Sequence, residues 1–136
     1  MKHAGFYRKV LKLSTFFERK LKNKYKNALA NGKQSFAIKL NTPLEFEIVG
    51  KLCDRLHYKK TDLGLMYFIE ISKEDIEFRN RLFKNIHARL VEAAIYGENH
   101  IVMDETKFSI VYAEPILNCL GFKCRECGNE IWAIDF

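Results

Sequence analysis

The chain carries one pattern of helix, strand, helix, strand and strand twice, and this repeat limits the folds open to it. With Gly32 set against Gly97, an offset of 65 residues, the apolar positions before each glycine have the spacing i, i+4, i+8 and i+11. That spacing is one face of an amphipathic helix, and a glycine is favoured just past a helix end because it adopts a left-handed conformation without steric cost. The matched positions are Phe17, Leu21, Tyr25 and Ala28 in the first copy, and Leu82, Ile86, Leu90 and Ala93 in the second.

The segment after each glycine has the apolar alternation of a short strand. The matched residues are Phe36 with Ile101 and Ile38 with Met103. The first copy continues with Thr42-Pro43-Leu44-Glu45, which carries three signals of a helix start: a threonine N-cap, a proline at the first helical position and a glutamate at the third. The second copy has Thr106-Lys107-Phe108 at this place, now at an offset of 64.

A second helix is therefore predicted in each copy. Its apolar face comprises Leu44, Ile48, Leu52 and Leu56 in the first copy, and Phe108, Tyr112, Ile116 and Leu120 in the second. Pro115 stands where the first copy has Lys51. Because proline lacks an N–H and its ring clashes with the preceding turn, we expect the later helix to be kinked or split near Glu114.

A hairpin is predicted at the end of each copy. In the first, a two-residue loop at Leu63-Gly64 pairs Lys60 with Tyr67; in the second, a three-residue loop at Cys127-Gly128-Asn129 pairs Cys124 with Trp132. Loops of these lengths are the commonest hairpin connections, and glycine or asparagine accepts the positive φ that they need. The side chains expected to face the core are Tyr67, Ile69 and Ile71, and then Trp132, Ile134 and Phe136.

These elements predict an α+β fold made by tandem duplication of one helix-strand-helix-strand-strand unit. One copy of about 55 to 60 residues buries little surface on its own, so we expect a single compact, pseudo-twofold domain over residues 1–136. Its strands form a mostly antiparallel sheet, or two three-stranded sheets, covered by the helices. A capping box at Thr15-Phe16-Phe17-Glu18 is predicted to start the first helix. The chain then divides into a basic N-terminal segment at 1–14, repeat 1 at 15–71 and repeat 2 at 74–136.

Positive charge is concentrated at the start of the chain. Residues 1–71 hold 15 basic and 6 acidic residues, a net +9, whereas residues 72–136 hold 8 and 11, a net −3. The 19 residues from 8 to 26 contain eight basic residues and a single acidic residue, Glu18. Such a block is typical of a surface that binds a polyanion, or of a helix face that only keeps the chain soluble. The eight residues are Arg8, Lys9, Lys12, Arg19, Lys20, Lys22, Lys24 and Lys26.

The cysteines offer a metal site as an alternative. Cys124 and Cys127 form a Cys-x-x-Cys-Gly knuckle, whose turn can point two thiolates at one zinc ion. Cys119 would supply a third ligand, and the fourth would come from Cys53, His57 or His100. The predicted hairpin register opposes this site, because it separates the two thiols of the knuckle. Buried or incidental thiols are our default interpretation, and no cofactor is predicted.

The last strand of the first copy is apolar on both faces. Met66 and Phe68 alternate with the residues expected to face the core, and therefore point away from it. We expect a helix to cover them; the alternative is a docking surface for another subunit or for a protein partner.

Patterns of catalysis and of membrane insertion are absent from the sequence. The four histidines occur singly, and no Ser or Cys can be paired with His and Asp from spacing. No apolar run approaches the roughly 18 residues needed to cross a bilayer, and the first 13 residues lack the clean apolar region of a signal peptide. We therefore expect a non-enzymatic, cytoplasmic protein without a membrane partner.

The basic first helix gives the preferred functional hypothesis. Because lysine outnumbers arginine there and suits diffuse attraction to phosphates, we expect a binding protein that engages nucleic acid mainly through backbone phosphates. The alternative is a protein-interaction factor, regulatory or inhibitory, that binds an acidic protein or self-associates as a homodimer through Met66 and Phe68. A small basic chain rich in Lys, Asn, Ile and Phe, with a duplicated α/β unit, resembles in style the accessory proteins of AT-rich genomes, including those of tailed phages. That resemblance implies no site residues.

Overall fold

The chain folds into two compact units of helices and antiparallel strands. The computed structural model describes residues 1–104, 107–128 and 130–136, with the backbone only at 107–112. One unit comprises Met1–Ala28 and Lys33–Lys73, and the other comprises Leu29–Gly32 and Glu74–Phe136. Thr106 and Asn129, which the sequence places at a helix start and in a hairpin loop, lie outside the described residues.

Each unit has a three-stranded sheet with its third strand in the middle. The first unit holds most of helix α1 (Ala4–Ala30), with β1 (Ser35–Lys39), α2 (Pro43–Arg55), β2 (Lys60–Asp62) and β3 (Met66–Glu70). The second is built on α3 (Lys73–Ile95), β4 (His100–Asp104), α4 (Lys107–Cys119), β5 (Lys123–Gly128) and β6 (Ile131–Asp135). The strand orders are β1-β3-β2 and β4-β6-β5, and every pair is antiparallel. The α+β class, with two three-stranded sheets, is confirmed; the tandem duplication and its pseudo-twofold symmetry stay predictions.

The two glycines that align the sequence repeat end helices as predicted. Gly32 and Gly97 follow α1 and α3 with φ of 71° and 77°. After α1, the amide of Gly32 donates to the carbonyl of Leu29, and that of Lys33 to Ala28, at 3.0 and 2.9 Å. These two bonds form a Schellman motif, which satisfies carbonyls that the helix end would leave unpaired.

The first helix begins at Ala4, so the predicted start at Thr15 is wrong. The hydroxyl of Thr15 donates to the carbonyl of Leu11, 3.0 Å away, as it does inside a helix. Val10 and Leu13 pack against the core of the first unit and extend the apolar face of α1 toward its N-terminus. This packing continues the helix through a Ser/Thr-x-x-Glu pattern that in isolation favours a cap.

The start of α2 is confirmed in each of its three signals. Thr42 is the N-cap in an extended conformation, and its side chain accepts a hydrogen bond from the amide of Glu45 at 3.2 Å. Pro43 occupies the first turn, and the Thr42 hydroxyl donates to the Glu45 carboxylate at 3.2 Å. An N-cap of this kind contributes about 1 kcal/mol to stability.

The core of the first unit joins α1, α2 and the inner face of the sheet. The predicted apolar face of α1 is confirmed, with Leu21 fully buried. On α2, Ile48 and Leu52 are buried as predicted, whereas Leu44 and Leu56 at the two ends are half-buried. The rings of Phe46 and Tyr67 stack with centroids 4.3 Å apart and planes at 10°. The buried cluster comprises Phe17, Leu21, Ile38, Leu40, Ile48, Val49, Leu52, Cys53, Tyr67 and Ile69.

The register of the first hairpin differs from the predicted one by two residues, and its loop lies one residue later. Lys60 pairs with Ile69 rather than with Tyr67, and the loop is Gly64-Leu65. Gly64 has φ of 74° at the first loop position, where a type II′ turn requires glycine. Because side chains alternate with period two, a two-residue shift leaves every residue on its predicted face. Tyr67, Ile69 and Ile71 are accordingly buried.

The second hairpin is also displaced by two residues. Cys124 pairs with Ile134 rather than with Trp132, and the register shifts between Glu126 and Gly128. This bulge absorbs the extra residue that the sequence assigns to a three-residue loop. Trp132 and Ile134 are buried as predicted, but the inward placement of Phe136 is wrong, because its side chain is 47% exposed beyond the end of β6.

Helix α4 continues through Pro115 as one helix, so the expectation that it is split there is wrong, while the alternative of a kink near Glu114 stays a prediction. Ala113 and Leu117, which neighbour the predicted stripe, are buried, whereas Leu120 lies beyond the end of the helix and is 69% exposed. Ile116 is half-buried, and the side chains of Phe108 and Tyr112 lie outside the described residues. The core of this unit comprises Leu82, Ile86, Ala93, Ile101, Met103, Ala113, Leu117 and Ile134.

Candidate nucleic-acid interface

Four of the eight predicted basic residues share one face of α1. Arg8, Lys12, Arg19 and Lys26 are separated by 4, 7 and 7 residues, spacings that place side chains in a row along a helix. This row lies opposite the buried side of the helix, where Leu21 is fully buried. The first three are exposed, and Lys26 is half-buried. Packing of the opposite face thus holds this row toward solvent.

The other four basic residues lie outside that row, and Lys24 is turned toward the buried side, about 60° around the helix from Leu21. Lys9 and Lys22 are exposed, whereas Lys20 and Lys24 are half-buried. The amino group of Lys20 lies 5.9 Å from the ring centre of Phe16, within the range of a cation–π contact. The aliphatic part of a half-buried lysine covers apolar surface while its charge stays in water.

Most of these cations form no ion pair with a residue that the structure describes. Glu18 forms an ion pair with Lys22 at 3.8 Å and accepts a hydrogen bond from Arg55 of α2. Among the residues that the structure describes, the other seven basic side chains form no ion pair. Because each unpaired cation retains its full attraction for an external anion, the face of α1 has a surplus of positive charge available to a ligand.

An exposed aromatic ring, that of Phe16, lies beside one of these cations, a feature that the sequence reasoning missed. Phe16 is 57% exposed, and Tyr7 is also exposed, although both belong to α1. Phe16 falls outside the apolar stripe of α1. A residue off that stripe is expected to be exposed, so the helical periodicity of the sequence could have predicted the exposure of this ring. A solvent-exposed ring beside a lysine can stack on an unpaired base.

The predicted zinc ligands are not brought together. Cys124 is half-buried opposite Ile134, whereas Cys119 and Cys127 are exposed. In the described ranges, no group of three His, Cys, Asp or Glu side chains is placed to hold a metal ion. Burial raises the pKa of the Cys124 thiol to about 11, and Glu114 and Asp135 add to the rise. A raised pKa disfavours the thiolate that zinc requires.

The predicted protein-docking strand has one open face. Phe68 is 38% exposed and Met66 is half-buried, so the expectation that a helix covers both is wrong. Phe68 lies between Ala37 on β1 and Thr61 on β2. The inner face of the strand packs in the core. On the outer face, the neighbours of Phe68 are a small residue, Ala37, and a polar one, Thr61, and its ring stays exposed.

Among the described helices, none is both long enough and apolar enough to cross a bilayer. Comparison with protein-family models, with curated proteins and with solved structures gave no match.

Proposed function

We propose that this chain is a non-enzymatic protein that binds nucleic acid through the basic face of α1, mainly at backbone phosphates. One observation carries the proposal: the exposed residues Arg8, Lys12 and Arg19, continued by the half-buried Lys26, form a row on α1 opposite its buried face, and none of them forms an ion pair with a described residue. The predicted cytoplasmic location belongs to the same proposal.

The dimensions of α1 suit a phosphate backbone. Residues 8–26 span about 27 Å at the helical rise of 1.5 Å per residue. Because the core fixes one side of the helix, its cations lose little freedom on binding compared with those of a disordered basic tail. Six of the eight are lysines, which act as point charges and do not form the bidentate contacts that read bases. We therefore expect high salt dependence and little sequence preference.

The direct test is binding of the purified protein to labelled single- and double-stranded DNA and RNA. If about five phosphates are neutralised, affinity should fall by roughly 500-fold between 50 and 200 mM salt, from the counterion-release slope. A fall of less than about tenfold, or no binding at 50 mM salt, would refute the proposal.

Charge reversal on α1 locates the binding face. The double variant Lys12→Glu with Arg19→Glu should weaken binding at 50 mM salt by at least about 30-fold, because both residues are exposed in the basic row and their reversal leaves the core intact. These positions are preferable to Lys20 and Lys24, whose half-buried stems take part in packing.

A matched control changes the net charge equally at another place. Lys84→Glu with Lys123→Glu reverses two exposed lysines on α3 and β5. If both double variants lose affinity to the same extent, attraction by net charge explains the binding, and the assignment to α1 fails.

The alternative function is a protein interaction through the open face of β3. Exposure of Phe68 at 38% favours it. Phe68→Asp should then abolish self-association in analytical ultracentrifugation, or capture of an acidic protein, while nucleic-acid affinity stays unchanged. Under the preferred proposal, Phe68→Asp leaves both the sedimentation behaviour and the nucleic-acid affinity unchanged.

A further inference from the structure

A cavity of about 440 Å³ opens in the first unit, on residues outside the proposed basic face. It lies where the connection from α2 to β2 meets the segment that follows β3, with Tyr25 of α1 in its wall. This volume is in the range of sites for small organic ligands. Its wall includes Tyr25, His57, Tyr58, Lys59 and Lys73.

Two tyrosines form a fixed aromatic platform in that wall. The rings of Tyr25 and Tyr58 stack with centroids 4.6 Å apart and planes at 7°. Tyr25 is buried, Phe36 meets its ring edge-on at 6.3 Å, and its hydroxyl accepts a hydrogen bond from the amide of Ser72 at 3.1 Å. Tyr58 is half-buried and lines the cavity. A flat ring that enters the cavity can therefore extend a stack that is already ordered.

His57 is held beside this platform in a conformation that histidine rarely adopts. Its φ is 58°, and it occupies the position after α2 that Gly32, Gly97 and Gly121 occupy after the other three helices of the described residues. The backbone amide of His57 donates to the carbonyl of Asp54, and that of Tyr58 to the carbonyl of Cys53, in the hydrogen-bond pattern of a Schellman motif. A side chain kept where glycine would be less strained is a feature of binding sites.

Cationic groups line the same cavity. Lys59 and Lys73 are both exposed in its wall. Glu70 also lines it, and its carboxylate lies 3.5 Å from the amino group of Lys59. That ion pair is largely exposed and is therefore weak, so an incoming anion can compete for Lys59. Lys73 forms no ion pair with any residue that the structure describes.

We propose that this cavity binds a nucleotide, with the base stacked on Tyr58 and the phosphate held by Lys59, Lys73 and His57. An anion and an aromatic ring are both needed, because lysines favour the phosphate and the tyrosine platform favours the ring. The inference rests on the proposed nucleic-acid binding and adds to it a place for a single unstacked nucleotide. The nucleotide comes from a strand end or loop, or from the free pool.

Titration with small ligands tests the cavity directly. Adenosine and uridine monophosphate should shift the NMR amide signals of residues 57–59 and 72–73, with affinity at least tenfold above that of adenosine or of inorganic phosphate. Absence of shifts at millimolar monophosphate would overturn the inference, whatever the basic face of α1 binds. Binding of phosphotyrosine as tight as that of the nucleotides would also overturn it, and would indicate a phosphorylated protein as ligand.

Two variants separate this cavity from a structural role of its residues. Lys73→Ala removes an exposed side chain, and His57→Gly puts at the end of α2 the residue that the other helices have, so both should fold. Each should weaken monophosphate binding at least fivefold, whereas Lys51→Ala, an exposed lysine of α2 outside the cavity, should not. Wild-type affinity in both cavity variants would overturn the assignment.

Binding of single strands with and without a 5′-phosphate identifies the source of the nucleotide, and the α1 variant distinguishes the cavity from the basic helix. A single strand with a 5′-phosphate and the same strand without it are compared. If the phosphorylated strand binds at least tenfold more tightly, and if Lys73→Ala removes this difference, the cavity binds a strand end. Equal binding of the two strands, with monophosphate binding intact, indicates the free nucleotide. Lys12→Glu with Arg19→Glu should retain monophosphate binding, so loss of strand binding in that variant alone concerns the helix and not the cavity.

Discussion

The hydroxyl oxygen of Tyr67 lies 2.6 Å from the point that a β-carbon on Gly50 would occupy. Tyr67 cannot readily withdraw, because it is buried, stacks on Phe46 and donates its hydroxyl to the Phe46 carbonyl at 3.2 Å. A glycine in the middle of α2 is thus explained by the close approach of the sheet to the helix.

Gly50→Ala should therefore destabilise the protein in spite of the higher helix propensity of alanine. The propensity gain is about 1 kcal/mol, whereas crowding in a packed core costs about 1–3 kcal/mol. In the Tyr67→Phe background the nearest ring carbon is 3.4 Å away, so the same change should be neutral or stabilising. Urea unfolding of the four proteins of this cycle measures the coupling, and additivity would contradict the steric explanation.

Two threonines should respond in opposite ways to replacement by alanine. Thr42→Ala should lower the free energy of unfolding by about 1 kcal/mol, because it removes the N-cap of α2. Thr15→Ala should be neutral or stabilising by up to about 0.5 kcal/mol, because Thr15 lies within α1 and alanine is the better helix former. Thermal unfolding followed by circular dichroism measures both. A cost at Thr15 as large as that at Thr42 would mean that the helix starts there.

Stability should decline in alkaline solution because of buried thiols. Burial raises the pKa of Cys53 from 9.0 to about 11, with Lys60 opposing and Asp54 adding to the rise. Between these values the unfolded chain loses the proton while the folded chain keeps it, so the stabilisation present below about pH 9 is lost as pH rises through about 11. Two pH units correspond to a loss of the order of 2 kcal/mol.

Replacing single thiols identifies the source of this decline. Cys53→Ala should reduce the slope of unfolding free energy between pH 9 and 11, and Cys124 together with Tyr67, whose pKa burial also raises, should contribute to what remains. Cys127→Ala replaces an exposed thiol and should leave the slope unchanged. Chemical denaturation at several pH values gives these slopes; identical slopes in wild type and Cys53→Ala would contradict the prediction.

His57→Gly should raise the free energy of unfolding by about 1 kcal/mol, because glycine adopts a positive φ without the cost that histidine bears. The measurement is urea unfolding, with Gly121→His as the reciprocal change after α4. That variant should lose a similar amount, since Gly121 has φ of 92° and no atom within 4 Å of its would-be β-carbon. A loss of stability on His57→Gly would show that the imidazole supports the fold.

Sequence pattern was a good guide where a local rule had no competitor. The ends of α1 and α3 at Gly32 and Gly97, and the cap of α2 at Thr42, follow from backbone chemistry within a few residues. The pattern at Thr15 misled because the same residue types occur inside a helix when tertiary packing extends it. Local propensity cannot tell these cases apart.

The candidate sites divide in the same way. The eight basic residues of α1 could be named from the sequence, and charge counting needs no structure. The cavity beside Tyr25 and Tyr58 could not, because it joins segments from three parts of the chain. One signal was nevertheless present, since His57 aligns with Gly121 at the repeat offset of 64 and breaks the rule that a glycine ends each helix.

The order of the elements, the α+β class and the inward face of most strands could be predicted from residue periodicity and from glycine and capping signals. The hairpin registers, the length of α1 and the exposure of Phe68 instead depend on long-range packing. A shift of two residues in a strand leaves its periodicity unchanged, and a helix is extended, or a face left uncovered, by contacts with segments distant in sequence. The packing energy of those contacts depends on residues far apart in the chain, so a local sequence pattern does not contain it.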